Sequence, residues 1–137
     1  MKALTLWQPW AGAIAAGLKK YETRSWPTRH RGWIAIHASV RIMDAAGWEL
    51  VKRHSQNFEL FETYGKVICV CELLDCIYMT PEFIAAQSKT EIDFGDWRPG
   101  RYAWKLGLAD VLHEPIPARG LQCLWNFDMP DYDLKLF

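Results

Sequence analysis

The stretch Lys66-Val67-Ile68-Cys69-Val70-Cys71-Glu72-Leu73-Leu74-Asp75-Cys76-Ile77-Tyr78 runs without a glycine or proline. Its β-branched and apolar density makes it the longest strand expected of this chain. It is too long for one flat strand of ordinary length, so it is expected to bend around a barrel. Cys69 and Cys71, two positions apart, would share one face of such a strand.

Upstream, Trp33-Ile34-Ala35-Ile36-His37-Ala38 is apolar at both parities and reads as a strand buried on both sides, with His37 as a structural histidine. Between these strands, residues 41–53 are amphipathic and predict the longest helix, with Ile42, Ala45, Ala46, Glu49 and Leu50 on one side. At the N-terminal end, residues 2–7 suit a short buried strand, and Gln8-Pro9 opens a helix whose stripe is Trp10, Ala13, Ile14 and Gly17. Gly17 suits a left-handed cap. Residues 22–26 read as extended up to Pro27. Downstream, Thr80-Pro81-Glu82 is a helix start, with Thr80 as N-cap, running to about Gln87. Residues 93–100 form a turn-rich loop. Strand resumes over 101–112, with Tyr102, Trp104 and Leu106 at one parity, until Pro115 and Pro117 break it; residues 122–127 form a last short strand. Strands punctuated by short helices, without βαβ alternation, indicate an α+β fold with a mixed β-barrel core rather than a Rossmann sheet.

The 137 residues fit one domain, 1–137, large enough to bury roughly 65–70% of its unfolded surface without disulfide staples. The cysteines, including Cys76 and Cys123, form no C-x-x-C pair, and His30, His37, His54 and His113 are scattered. No metal site or cofactor motif follows, and the cysteines read as buried free thiols. No apolar run approaches the ~20 residues of a membrane span, so a soluble, cytoplasmic protein is expected. A net charge of zero argues against coating nucleic acid by bulk electrostatics. The charges are not evenly spread: Lys19, Lys20, Arg24, Arg29 and Arg31 face the single Glu22, while Asp128, Asp131 and Asp133 face Lys135 near the C-terminal end. Tyr21, Trp26 and Trp33 interleave with the cations, a mixture suited to bases and phosphates. Trp33, Trp48, Trp104 and Trp125 sit in periodic apolar contexts and are expected in the core; Trp7, Trp10 and Trp26 flank the basic stretch, with core packing as the default for each and a stacking wall as the alternative.

The candidate site is Gly17-Leu18-Lys19-Lys20-Tyr21-Glu22-Thr23-Arg24, a G-x-K-x-x-E-x-R sequence directly after a helix cap. Glu22 and Arg24 share a strand face and Thr23 takes the other; Lys19 meets them only if the turn after Gly17 curls. A surface Glu–Arg pair worth under ~1 kcal/mol, beside a solvated lysine, is the plain alternative.

This motif, together with Leu4-Thr5-Leu6-Trp7-Gln8-Pro9-Trp10-Ala11, Trp26-Pro27, Gly100-Arg101-Tyr102-Ala103-Trp104 and Leu124-Trp125-Asn126-Phe127, resembles the ASCH domain family over nearly the whole chain. The resemblance implies a PUA-like mixed β-barrel flanked by short helices. It also implies a conduit lined by the motif and a role in binding RNA or a modified nucleotide or nucleoside. Lys19, Lys20, Tyr21, Arg24, Trp26, Arg29, Arg31 and Arg101 become candidates for nucleic-acid contact, with single-stranded RNA or a nucleotide as partner. Some members similar in fold are hydrolases, either on N4-acylated cytidine or on RNA, which makes Lys19, Glu22 and Arg24 candidate catalytic groups. In the amidohydrolase branch a nucleophilic threonine stands where this chain has Glu22, so that mechanism does not transfer. Glu22 as a general base with Lys19 facing an oxyanion stays open, with Glu91, Asp93 or Asp96 as a second carboxylate or as plain loop residues. An interaction domain in which the motif only stabilises the barrel is the third reading.

Overall fold

A computed structural model describes residues 1–130. The long strand is the spine of a single seven-stranded sheet. In chain order the elements are β1 (Lys2–Leu6), α1 (Trp10–Ala15), β2 (Tyr21–Arg24), β3 (Gly32–Ala38), α2 (Ala45–His54), β4 (Lys66–Tyr78), α3 (Pro81–Ala85), α4 (Lys89–Asp93), β5 (Tyr102–Leu106), β6 (Asp110–Pro117) and β7 (Leu124–Asn126). A 3-10 turn at Glu59–Phe61 precedes β4.

The thirteen residues of β4 do what no flat strand can. One edge pairs antiparallel with β3 from Lys66 to Leu73, while the other pairs first with β6 and then with β5, a ladder whose register shifts between Leu73 and Asp75. Such an irregularity bends the strand and increases its twist. From β4 the sheet continues on one side through β3 and β1, which lie parallel, to β7, and on the other side through β5 to β2. The curved sheet is barrel-like, yet among the described residues no ladder joins β2 to β7.

Both faces of β3 are sealed. Ile34, Ile36 and Ala38 join Leu4, Ile68, Leu73 and Trp104 in one cluster capped by α1. Ala35 joins Val67, Val70, Leu112 and Trp125 in a second. Cys69 and Cys71 lie together in the first cluster. Burial pushes both thiols up, Cys71 to about 12, so they stay protonated hydrophobes. Cys76 is half-buried and Cys123 exposed, which corrects the expectation that all four thiols are buried.

Local chemistry explains several boundaries. Asp44 accepts from the Gly47 amide and starts α2 four residues later than periodicity alone would. Thr80 caps α3 by accepting from Phe83 N, as expected. The strand expected over 101–112 is two: β5 ends before Gly107, and β6 runs through Pro115 to Pro117 instead of breaking there. Its tolerance of proline follows from its place, since it pairs only with β4 and its other edge needs no donor. Trp104 and Trp125 are core as expected, but Trp48 is only half-buried and Trp33 is 45% exposed, because it begins its strand beyond the region that the second cluster covers. His37 is buried against Trp125, and its Nε2 donates to the Ala118 carbonyl at 2.7 Å. Asp131, Asp133 and Lys135 lie outside the described residues.

Candidate functional site

Gly17 adopts φ +79°, the left-handed conformation that ends α1 and turns the chain toward β2. The turn delivers Lys19 inward. Its Nζ donates to the Phe94 carbonyl at 2.7 Å and lies 3.5 Å from Glu22 Oε1. Arg24 Nε donates to the other oxygen, Oε2, at 2.8 Å. The ammonium, carboxylate and guanidinium therefore meet in one row, with Glu22 bridging the two cations. Lys19 is 3% exposed and Glu22 6% exposed. Burial pushes the Lys19 ammonium below its ordinary value, opposed mainly by the charges of Glu22 and Glu91.

Glu91 is no loop carboxylate. Residues 88–91, Ser-Lys-Thr-Glu, lie between the helix expected to end near Gln87 and the turn-rich loop expected from residue 93, and they are a capping pattern: Ser88 accepts from the Glu91 amide to start α4. The Glu91 carboxylate then leaves its own helix: it accepts from the Lys20 amide (3.0 Å to Oε2) and the Tyr21 amide (3.1 Å to Oε1). It fastens α4 over the turn that carries Lys19. Of the other two candidate carboxylates, Asp93 pairs with His54 Nε2 at 2.9 Å, and this bond, with Lys89, holds its carboxyl below the usual range. Asp96 is held by Arg98 and Arg101, which likewise keep its carboxyl low.

Two adjoining cavities open on this row. One of about 260 Å³ is lined by Lys19, Glu22, Thr23, Phe94, Asp96 and the Trp10 ring. The second, about 430 Å³, shares Trp10, Glu22 and Thr23 and adds Arg24, Trp26, Trp7 and Arg101. Thr23 lines both although it leaves β2 on the other side from Glu22. β2 is the end strand of the sheet, and the Asp96 amide donates to Thr23 Oγ1 at 3.0 Å, folding the loop around that open edge. Trp26 packs edge-on against Trp104 with ring centres 4.8 Å apart, and the Arg24 guanidinium carbon lies 5.7 Å from the Trp26 ring. Arg101 donates to the Asp96 carbonyl and, at 3.4 Å, to that of Thr23.

Lys19, Glu22, Arg24, Trp26 and Arg101 are thus brought to one place. Four other expected contacts are not. Lys20 lines a separate cavity behind the turn. Tyr21 packs between Phe83 and Trp97. Arg31 pairs with Asp75 and, like Arg29, lines none of these cavities. Alternation explains Tyr21, which faces away from Glu22; the others belong to stretches that turn away before and after β2. Sequence reasoning missed Phe94, whose contribution is a carbonyl and leaves no side-chain signal. Among the described residues no group of three or more His, Cys, Asp or Glu gathers as a metal site would require.

A profile of the ASCH domain matches residues 4–114. The chain belongs to the ASCH domain family. Among curated proteins it is similar to human activating signal cointegrator 1, with 33% identity over 82 residues, covering 54% of this chain and 14% of that protein. The chain therefore spans a small fraction of that relative. Among solved structures, this ASCH domain is similar to an ASCH protein from Zymomonas mobilis, with a TM-score of 0.54, 16% identity, and coverage of 98% of this chain and 91% of the other. That likeness supports the PUA-like α+β fold. No helix among the described residues is long and apolar enough to cross a membrane.

Proposed function

We propose that this ASCH domain binds a nucleotide, free or within single-stranded RNA, in the paired cavities around Lys19, Glu22 and Arg24. The observation that carries the reading is the state of Arg24. Its Nε is spent on Glu22, its two terminal nitrogens make no hydrogen bond among the described residues, and Arg24 lines the 430 Å³ cavity beside the Trp26 ring. A guanidinium fixed at one end and free at the other is prepared for bidentate capture of phosphate oxygens. Trp26 and Trp10 supply flat apolar walls for a base. Glu22, held by its two cations, is positioned to accept from an exocyclic amino group.

A hydrolase acting on N4-acylated cytidine is the second reading. It rests on Lys19, whose ammonium has one donor beyond those spent on Phe94 and Glu22 and lines the smaller cavity. Titration of cytidine monophosphate and a labelled single-stranded RNA into wild type, Arg24→Ala and Glu22→Gln tests the binding reading. Loss of a charge-assisted contact at Arg24 is expected to weaken both ligands about ten-fold or more. Equal affinity in wild type and Arg24→Ala overturns the proposal. Release of acetate from N4-acetylcytidine by wild type, abolished in Glu22→Gln, establishes the hydrolase instead.

A further inference from the structure

Trp7 follows β1 and is 53% exposed, an unusual position for an indole. It walls the 430 Å³ cavity just described and, with Trp10, a further cavity of about 410 Å³ on its other side, against the N-terminal part of α2. Both cavities are lined by these two indoles. The guanidinium carbon of Arg41 lies 3.7 Å from the centre of the Trp7 ring, flat-stacking range for a cation on an aromatic face.

The charges around this further cavity are unequally satisfied. Of its two carboxylates, Asp93 is bound by His54 and Lys89, while Asp44 accepts from the Gly47 amide and keeps its charge. Its two guanidinium groups, Arg41 and Arg53, have no carboxylate within ion-pair distance among the described residues; Arg53 makes a single 3.4 Å contact to the Glu49 carbonyl. Two guanidinium groups without a carboxylate partner, one of them stacked on a half-exposed indole, give this cavity more positive charge than its one carboxylate without a cation partner, Asp44, can balance.

We propose that the Trp7–Arg41 cavity is a second nucleotide subsite, which takes the base and phosphate adjacent to the nucleotide held at Arg24. This rests on the reading above and deepens it: the ligand is an oligonucleotide of at least two residues, whose strand passes over Trp7. Arg53 and Arg41, the latter held on one face of Trp7, engage the phosphate, and the base stacks against the Trp7–Arg41 pair.

The test is the ratio of affinities for a short single-stranded RNA and for cytidine monophosphate, measured on the full chain by titration calorimetry. Wild type is expected to bind a seven-nucleotide RNA at least about ten-fold tighter than the mononucleotide, the lower range for one added stacked base. Arg41→Ala, an exposed loop position that should not disturb folding, is expected to collapse that ratio toward one. It should also lower the slope of log affinity against log salt by about 0.7, the share of one single-strand phosphate. A wild-type ratio near one, or an unchanged ratio and slope in Arg41→Ala, overturns the second subsite while mononucleotide binding at Arg24 stands. Mononucleotide binding that ignores Arg24→Ala overturns the first reading and this one with it.

Discussion

The centre of the sheet and its β2 end are buried alike and built from opposite materials. Around β3 and β4, Ile34, Ile36, Ile68 and Leu73 close both faces with hydrocarbon. At β2, Lys19, Glu22 and Glu91 are nearly as inaccessible, yet each is charged or strongly polar and each has a fixed partner: a carbonyl, a carboxylate or a pair of amides. Low exposure therefore does not by itself mark a core. In one region burial is the source of stability. In the other it is a cost of about several kcal/mol per ion, offset by partners and retained where preorganised charge has a use.

Substitutions sharpen this contrast. The largest loss is expected in the hydrocarbon region: Trp104→Ala should cost about 3–5 kcal/mol in urea denaturation. At the β2 end, Lys19→Met removes one cation from Glu22 and should cost about 3 kcal/mol, because the carboxylate keeps its burial and loses a partner. The double variant Lys19→Met/Glu22→Leu should regain most of that stability while ligand binding stays lost, a result no ordinary core pair would give. A double variant no more stable than Lys19→Met would erase the distinction. Glu91→Ala leaves the Lys20 and Tyr21 amides without their acceptor, and about 1–3 kcal/mol should disappear.

Acidification probes an intermediate case. Burial pushes the His37 imidazole below its ordinary 6.5, and its Nδ1 has no hydrogen-bond partner among the described residues; Gly120 lies so close that a Cβ there would sit 2.9 Å from it. The unfolded chain then binds a proton more readily than the folded one. Stability should fall as pH drops from 6.5 toward the folded value, by at most about 1.4 kcal/mol per pH unit for one proton. His37→Gln should flatten this slope between pH 7 and 5. Lys19 has the same sign at the alkaline end, where stability should rise as pH approaches 10.5. The smallest effect belongs to the exposed Asp96–Arg98 pair, where Arg98→Ala should leave the urea denaturation midpoint unchanged.

The hydrocarbon region was readable because its information is local. The run from Lys66 to Tyr78 has the bounds expected of it, and Thr80 carries its cap within three residues. At β2 the motif announced which residue types would meet, and the curl after Gly17 could be required from parity alone. What could not be read was who satisfies them. Phe94 and Glu91 reach Lys19 and its turn from more than seventy residues away, one through a backbone atom and the other by abandoning the local bond that its capping pattern suggested. Prolines misled at β6 because their cost depends on being an edge strand, which is a property of the sheet and not of the segment. Trp33 misled because periodicity gives a face but not where the covering layer stops.

The twofold hold of α4 on the first turn has a consequence for motion. A side chain of that helix binds the Lys20 and Tyr21 amides, and the carbonyl just past its end binds the Lys19 ammonium, so the helix cannot lift without releasing all three at once. Deuterium uptake at those two amides then becomes a gauge of whether the buried ions are sealed or open. It can be read in the untouched protein, with occupant or without.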